Sequence, residues 1–414
     1  MNQLKIAAAA LLACGLVACS SSNSEENAAK VNEAIVNGTA LTTADVNFYG
    51  LVAVYHPDGD GLTTWFPRPC GGTILSSING ISTVLTARHC VTTNNDIDGV
   101  VAPASSFRLL PTATPGPANP NPPAGTVTPT QVLAPVFNSA SPASEQDLAL
   151  LVVSADWSTH VLARGGIWLA GPANAYHGVD YALGYGINTP DWNCYTDRSI
   201  VGAGVARMGL GFTDTSLVST DASRIWQYSF TQPNGASQAV ICGDSGGPDF
   251  VDMYFDDDVF DTTLVGVHST GSTTAGGSAG MSLWLQQALG GLPLGMHNGV
   301  KHNLYRALNS HTVSVSSTNY TRWLYDYVTH TVYDPSQEDV DEDWCLDANG
   351  SSNVVANLCS GAASQKWYPT TNLQLRNASL TGKCLSLPSS GTTPKVVTCS
   401  DSPGTQAWQF HAQP

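Results

Sequence analysis

Residues 242–248 read Cys-Gly-Asp-Ser-Gly-Gly-Pro, and two further motifs precede this stretch along the chain. Residues 85–90 read Leu-Thr-Ala-Arg-His-Cys, and residues 147–151 read Asp-Leu-Ala-Leu-Leu. A serine hydroxyl becomes a useful nucleophile when a neutral imidazole takes its proton, and a buried carboxylate holds that imidazole in the correct tautomer. The three motifs supply these residue types, so the sequence predicts a nucleophilic catalytic site.

The acid of this site has three candidates in the sequence. Asp147 opens an apolar strand, where a carboxylate can be buried and oriented, whereas Asp96 and Asp98 lie in a polar loop. We therefore predict that His89 pairs with Asp147 and activates Ser245.

Taken together and in this order, the motifs resemble those of the trypsin-like serine peptidases. The resemblance implies an all-β domain at residues 35–330, built from two six-stranded β-barrels and a C-terminal helix. We expect that helix within residues 320–327, whose apolar side chains share one helical face. Short apolar runs separated by turn residues agree with an all-β fold. The resemblance further assigns the oxyanion hole to the backbone N–H groups of Gly243 and Ser245.

A fourth motif, Ile35-Val36-Asn37-Gly38, looks like the activation sequence of the same family. The resemblance implies that cleavage before Ile35 creates an α-amino group that folds inward and pairs with Asp244. A buried carboxylate without a partner is costly, so the pairing would order the oxyanion loop only after cleavage. The sequence therefore predicts a zymogen. Its activating protease cuts after Ala34, so it is not expected to be trypsin-like.

Specificity in this family depends on the residue six positions before the nucleophile, here Ala239 with Val240 next, and on a strand that follows the nucleophile. Neither Ala239 nor Val240 is anionic, which argues against cleavage after Lys or Arg. His268 lies where glutamyl endopeptidases place a histidine that receives an acidic side chain, so acidic and apolar specificities both stay open. The substrate backbone would add as a strand along three residues: Ser269, Thr270 and Gly271.

The last part of the chain contains an internal repeat. Its first copy has Cys345-Leu346-Asp347, Cys359 and Gln365-Lys366-Trp367, and its second has Cys384-Leu385-Ser386, Cys399 and Gln406-Ala407-Trp408. The copies resemble ricin B-type lectin repeats of the β-trefoil fold. The resemblance covers residues 342–414, after a linker at 331–341. It implies a sugar site at Asp347 and Gln365, although a purely stabilising domain is the alternative.

A trefoil needs three repeats and two are visible, so we expect a small partial trefoil. The third lobe is truncated, has diverged or comes from another chain. Ten cysteines are present, and eight remain when Cys14 and Cys19 are set aside. An even number in an exported protein predicts disulfides. The two family resemblances imply four pairs: Cys70–Cys90, Cys194–Cys242, Cys345–Cys359 and Cys384–Cys399.

The N-terminus predicts export. Residues 1–18 form a short apolar signal, and Leu16-Val17-Ala18-Cys19 resembles a bacterial lipobox in which Cys19 is lipidated. Cys14 offers a second lipobox, and an ordinary cleaved signal is the other alternative. Residues 19–34 would then be a tether and activation peptide. The prediction is a cell-envelope lipoprotein that is released to the outside when the chain is cut before Ile35.

Composition excludes several classes. The 414 residues include 16 Lys plus Arg against 32 Asp plus Glu, a net charge of −16, which repels nucleic acid. No apolar run of 18 residues follows the signal, so membrane contact is expected only through a lipid anchor. Residues 249–261 hold six aspartates and are predicted to form a solvated acidic loop rather than a Ca²⁺ site. We predict no metal and no cofactor.

These observations predict an exported serine endopeptidase that acts on proteins or peptides and requires an activating protease. Its tail would bind a glycan. The competing hypothesis is an inactive peptidase homologue that acts as a carbohydrate-binding adhesin. The intact His89, Asp147 and Ser245 favour the enzyme.

Overall fold

The computed structural model describes twenty-two stretches of the chain with gaps between them. They are residues 35, 38–57, 65–66, 68–118, 121–139, 146–160, 166–167, 179–186, 204–213, 225–229, 240, 243–255, 259–271, 275–280, 282–296, 299–326, 329–335, 343–348, 350, 352–370, 373–400 and 404–411, with 68–118 and 373–400 among the longest. The predicted signal, tether and lipidation sites at Cys14 and Cys19 lie outside them, as does Ala34. Within the described residues no helix is long and apolar enough to cross a membrane.

The N-terminal part is built around one sheet. Its elements are β1 Thr39–Ala40, α1 Thr43–Tyr49, β2 Leu51–Tyr55, β3 Cys70–Ile78, β4 Ile81–Thr86, β5 Arg108–Leu110, β6 Gln131–Leu133 and β7 Ala149–Val153. Strands β2 to β7 form a six-stranded sheet in the order β5-β2-β3-β4-β7-β6. All five residues of β2 are buried, as expected of a strand packed on both faces. Thr42 caps α1 through a reciprocal pair of hydrogen bonds with Asp45.

The next part contains a closed ring of strands. Its elements are β8 Gly166–Ile167, β9 Val179–Gly184, β10 Arg207–Thr213, β11 Ile225–Ser229, β12 Pro248–Phe255, β13 Val259–Gly271, β14 Ala275–Gly280 and α2 Leu283–Ala288. Six strands follow the order β12-β9-β10-β11-β14-β13, and β12 also pairs with β13 to close the ring. The acidic loop predicted at 249–261 is wrong, because β12 and β13 run through it as an antiparallel pair.

The C-terminal part consists of short strands. They are β15 Leu292–Met296, β16 Gly299–Arg306, β17 Val313–Ser316, β18 Arg322–Asp326, β19 Thr331–Asp334, β20 Trp344–Asp347, β21 Val355–Leu358, β22 Trp367–Pro369, β23 Leu375–Asn377, β24 Lys383–Ser386, β25 Lys395–Thr398 and β26 Trp408–His411. Three hairpins repeat along this part, β16–β17, β20–β21 and β24–β25. The first and last strands, β15 and β26, pair with each other.

Three tryptophans show that this part has three equivalent lobes. In each lobe an indole N–H donates to a backbone carbonyl of the hairpin. The bonds run from Trp323 to Leu304 at 3.3 Å, from Trp367 to Leu346 at 2.8 Å and from Trp408 to Leu385 at 3.1 Å. The expectation of a partial trefoil is therefore wrong, because a first lobe at residues 292–326 completes it. That lobe has diverged and lacks the cysteines of the other two.

The helix expected within residues 320–327 is also wrong. Residues 322–326 form β18, which pairs with β15 and β19, and Trp323, Leu324 and Tyr325 are all buried there. An aromatic run of this kind suits a strand that is covered on both faces. The described helix nearest to this region is α2, which ends just before the first lobe begins.

The structure confirms the all-β class and three disulfides. The described bridges join Cys70 to Cys90, Cys345 to Cys359 and Cys384 to Cys399. Cys194 and Cys242 lie outside the described residues. One apolar cluster runs through all three parts of the chain and includes Val52, Leu151 and Trp367.

Candidate active site

His89 and Asp147 lie side by side at one edge of the N-terminal sheet. His89 follows β4 and begins the short 3₁₀ helix His89–Val91, while Asp147 precedes β7. Because β4 pairs with β7, both residues are delivered to the same end of the sheet. The Nδ1 atom of His89 is 2.9 Å from Oδ2 and 3.1 Å from Oδ1 of Asp147. Asp147 is 1% exposed, so this carboxylate can orient the imidazole away from water.

Two further donors hold the Asp147 carboxylate. The backbone N–H of His89 donates to Oδ1 at 2.9 Å, and the hydroxyl of Ser269 donates to Oδ2 at 2.5 Å. The rival carboxylates, Asp96 and Asp98, are exposed. Asp147 is therefore the acid that the fold brings to His89.

The pKa values of the pair diverge. Burial acts to lower the pKa of His89, but the adjacent charge of Asp147 and its hydrogen bond outweigh burial and raise it above 6.5. Burial acts to raise the pKa of Asp147, but the charge and hydrogen bond of His89, with the hydroxyl of Ser269, lower it. An imidazole held by an ionised carboxylate is a stronger general base than an isolated one.

The turn that carries Ser245 packs against the segment before His89. The backbone N–H of Gly71 donates to the carbonyl of Ser245 at 2.7 Å. Gly246 has φ 80°, and a Cβ there would lie 3.1 Å from the backbone nitrogen of Ala87. Glycine is required at this position for both reasons. The predicted nucleophile and base thus lie on touching segments.

Gly243 and Asp244 complete this turn. Gly243 has φ 95°, a conformation that favours glycine. Asp244 is fully buried, and its Oδ1 accepts from the backbone N–H of Gly186 at 2.8 Å. The Ile35 side chain is also fully buried, in a cluster with Ala182 and Val240. Ile35 and the Ser245 turn therefore contact neighbouring positions of one segment, Ala182 in β9 and Gly186 just after it.

Of the predicted specificity residues, Ala239 lies outside the described residues. His268 is fully buried, and its Nδ1 is 3.2 Å from Oδ1 of Asp249. The Ser278 hydroxyl donates to Oδ2 of the same carboxylate. His268 also exchanges backbone hydrogen bonds of 2.9 and 2.8 Å with Gly246 and Gly247. This histidine is therefore rigidly held beside the Ser245 turn. Two further predicted positions, Thr270 and Gly271, lie in β13.

Two residues near the site were not predicted. Arg88 is buried, and its guanidinium donates to the backbone carbonyls of Ile97, Gly99 and Pro135. Arg88 fixes the loop that follows His89. Its position next to His89 in the sequence is the feature from which this role could have been predicted. His56 is buried too, and burial lowers its pKa to about 4.

The described residues contain one compact group of possible metal ligands, Cys70, His89 and Cys90, whose ligand atoms lie within 4.8 Å of one another. Both cysteines are consumed by their mutual disulfide, and His89 is held by Asp147. A thiolate is the species that binds a metal, so this group does not form a metal site.

The predicted sugar residues are adjacent in the second trefoil lobe. The side-chain amides of Asn357 and Gln365 donate to Oδ2 of Asp347 at 3.0 and 3.3 Å. Gln365 also donates to the backbone carbonyl of Leu358 at 2.8 Å. Asp347 and Gln365 are both buried, so the pair is preorganised.

Comparison with known proteins identifies the C-terminal part. Residues 337–414 match the family described as the ricin-type beta-trefoil lectin domain. A search of curated proteins finds no match to the chain. The match agrees with the three-lobed strand pairing, and it starts after the diverged first lobe. Residues 337–414 of this chain therefore form a ricin-type β-trefoil lectin domain.

Proposed function

We propose that the chain is an exported serine endopeptidase of the trypsin-like kind, with a lectin domain at its C-terminus. The observation that carries the proposal is the hydrogen bond between the buried carboxylate of Asp147 and Nδ1 of His89. This pair lies on segments that pack against the turn that carries Ser245. A nucleophile, a base and an orienting acid are what this kind of acyl transfer requires.

In the proposed mechanism Asp147 accepts the Nδ1–H of His89 and leaves Nε2 to take the hydroxyl proton of Ser245. The serine oxygen attacks the peptide carbonyl, and the N–H groups of Gly243 and Ser245 stabilise the oxyanion. His89 then gives its proton to the leaving amine, which yields an acyl-enzyme. A water molecule, deprotonated by His89, releases the acid product.

Activation is the second element of the proposal. Cleavage before Ile35 would create an α-amino group that, as the family resemblance implies, folds inward and pairs with Asp244. Burial of Ile35 with Val240 supports this, because Val240 lies five residues before Ser245. The same cut would separate the enzyme from a lipid on Cys19.

Specificity is proposed to exclude Lys and Arg, since neither Ala239 nor Val240 is anionic. His268 is backed by the carboxylate of Asp249, which fixes the tautomer of its ring. The ring can thus meet an acidic side chain or form one wall of an apolar pocket.

A peptide library separates these outcomes. Protein beginning at Ile35 is incubated with peptides derived from a whole proteome, and the new termini are sequenced by mass spectrometry. We expect cleavage that is absent in Ser245→Ala and that does not follow Lys or Arg. Cleavage after Glu or Asp that His268→Leu abolishes would establish acidic specificity. The absence of new termini with the unmutated protein would contradict peptidase activity.

Glycan binding is the second candidate function, and the family match at 337–414 favours it. Asp347, held by Asn357 and Gln365, would accept hydrogen bonds from sugar hydroxyls. Glycan arrays probed with the full chain and with Asp347→Ala test this function. Equal glycan binding by both proteins would show that Asp347 does not contribute to a sugar site. Glycan binding by a chain that hydrolyses no peptide would favour the adhesin alternative.

A further inference from the structure

Ser269 occupies a β-bulge between β13 and β14. The register of the two strands shifts between His268 and Thr270, and Ser269 is the extra residue. Bulges re-aim side chains and are common beside active sites. Here the hydroxyl of Ser269 reaches Oδ2 of Asp147 at 2.5 Å. The direction of this hydroxyl therefore depends on what holds β13 and β14 in place.

The last strand of the trefoil holds β13. Leu264 of β13 pairs with Ile167 of β8, and the other edge of β8 pairs with β26, where Ile167 lies opposite Phe410. β26 pairs in turn with β15, the first strand of the trefoil. One sheet therefore runs from the strand that carries Ser269 into the trefoil. Backbone pairing along this sheet fixes where β13 lies relative to β26.

The helix that follows β14, α2, is fastened to the trefoil by Gln286. This side chain is fully buried. Its Nε2 donates to the backbone carbonyl of Tyr325 at 3.0 Å, and its Oε1 accepts from the backbone N–H of Tyr325 at 2.7 Å. Tyr325 belongs to β18 of the trefoil. If α2 moved, these buried groups would lose their partners at a cost in free energy, so the contact holds α2 against β18.

Arg322 makes a second connection between β18 and α2. Its Nη1 donates to the backbone carbonyls of Leu289 and Gly291, just after α2, at 3.1 and 3.0 Å. Arginine often binds the last carbonyls of a helix in this way. On the other side of α2, Ser278 of β14 donates its hydroxyl to the buried carboxylate of Asp249 in β12. The segment from β14 to α2 is therefore held at one end by the catalytic ring of strands and at the other by the trefoil.

We propose that the trefoil positions the Ser269 bulge of the peptidase, and that Gln286 is the positioning residue at the junction. The inference rests on the proposed peptidase function, because Ser269 acts by holding Asp147 beside His89. With β13 held by β26 and α2 held by β18, the bulge keeps one geometry and the hydroxyl stays directed at Asp147. The trefoil thereby serves catalysis without any bound glycan. A chain whose junction is loosened should keep its fold and lose catalytic rate.

The test compares two glutamine variants of the chain beginning at Ile35. Gln286→Leu removes both hydrogen bonds to Tyr325. Gln374→Leu is the matched control, because Gln374 is 3% exposed and its Nε2 also makes two hydrogen bonds, both inside the trefoil. Labelling by a serine-directed phosphonate is measured well below both melting temperatures. Gln286→Leu should slow labelling about fivefold, whereas Gln374→Leu should label at the rate of the unsubstituted chain.

A double variant tests whether Gln286 acts through Ser269. If it does, Gln286→Leu should cause little further loss in a chain that already carries Ser269→Ala, and the two losses should not multiply. Proton NMR gives a readout that a mere loss of stability would not move. The signal of the His89 Nδ1 proton, bonded to Asp147, should shift in Gln286→Leu and in Ser269→Ala and should keep its position in Gln374→Leu.

Arg322→Met loosens the same junction more gently, because Arg322 is half-buried, and it decides the matter if Gln286→Leu does not fold. Its control is Arg108→Met, since Nη1 of Arg108 also donates to two backbone carbonyls, but beside β5 of the N-terminal sheet. We expect slower labelling of Arg322→Met alone. Either junction variant labelling at the rate of its control would overturn the inference, as would losses that multiply in the double variant. No labelling of the unsubstituted chain would overturn the proposed peptidase as well.

Discussion

The hydroxyl of Ser269 donates a 2.5 Å hydrogen bond to Oδ2 of Asp147, the same oxygen that lies 2.9 Å from Nδ1 of His89. This bond connects β13 of the ring of strands to the loop before β7 of the N-terminal sheet. Because it favours the ionised carboxylate, Ser269 helps Asp147 to orient His89.

Ser269→Ala should slow covalent labelling by a serine-directed phosphonate about tenfold, since a hydrogen bond to a charged group contributes about 1.5–3 kcal/mol and only part of it acts on His89. Asp147→Asn should slow labelling by about three to four orders of magnitude. Ser77→Ala is the matched control, because Ser77, in β3 of the N-terminal sheet, also donates from its hydroxyl to an aspartate, Asp156, but at an exposed site. Equal rates for the two serine variants would refute a role for Ser269.

The rate of labelling should depend on pH through His89. Only the neutral imidazole can take the proton of Ser245, and the Asp147 charge raises the pKa of His89 above 6.5. Labelling should therefore be lost as pH falls, with a midpoint above pH 6.5. In Asp147→Asn the raising charge is gone and burial dominates, so the residual rate should have a lower midpoint. Initial rates from pH 5 to 9 measure both, and an unshifted midpoint would contradict the coupling.

The same pair makes stability depend on pH. Asp147 has a lowered pKa in the folded protein, so its contribution is present above the unfolded pKa near 3.8 and is lost as pH falls further. His89 has a raised pKa, so its contribution is complete below about pH 6.5 and is lost as pH rises through the folded value. The melting temperature of Ser245→Ala should therefore fall as the pH is lowered below about 3.8. When Asp147→Asn is added to this variant, the fall in melting temperature should be smaller. The same fall in melting temperature at low pH in both proteins would contradict a stabilising role for the ionised Asp147.

Arg88→Met should destabilise the protein by about 2–4 kcal/mol, because two buried backbone carbonyls and one partly buried carbonyl lose their donor. Arg108→Met provides the comparison, since Arg108 is half-buried and its guanidinium donates to the exposed carbonyl of Ser105 and the partly buried carbonyl of Phe107. The comparison variant should lose less than about 1 kcal/mol. Denaturant unfolding followed by tryptophan fluorescence measures both, and a similar loss in the two variants would contradict the role given to Arg88.

The trefoil should fold only when its first lobe is present. A fragment of residues 290–414 contains β15 to β26 and should unfold cooperatively on heating. A fragment of residues 337–414 lacks β15, which pairs with β26, and also lacks β16 to β19. Its barrel cannot close, so it should show neither near-ultraviolet circular dichroism nor a cooperative transition. Cooperative unfolding of the shorter fragment would mean that the first lobe is dispensable.

Local patterns predicted the parts of the chain whose chemistry is encoded in short motifs. The stretches around His89 and Ser245 and the two cysteine repeats were all recognisable. The first lobe was not, because Tyr305 and Thr321 replace the residues that mark the other lobes. Residues 320–327 fit a helical face by spacing, but pairing with β15 and β19 decides in favour of a strand. Long-range pairing overrides local preference in such segments.

Contacts between residues that are far apart in the sequence were not predicted either. Ser269 was predicted as part of the substrate-binding strand, and its bond to Asp147 joins residues 122 positions apart. Asp249 was placed in a solvated acidic segment, yet it is buried beside His268 because β12 and β13 pair. Both side chains acquire their roles only when the strands assemble.

The most direct test of the central claim is to locate the adduct of a serine-directed phosphonate by mass spectrometry. Three proteins are compared: the chain beginning at Ile35, the same chain with Ser245→Ala, and the uncut chain. We predict a single adduct on Ser245 in the first protein and no adduct in the other two. Labelling elsewhere, or of none of the three, would contradict a catalytic Ser245, while equal labelling of the uncut chain would contradict the zymogen.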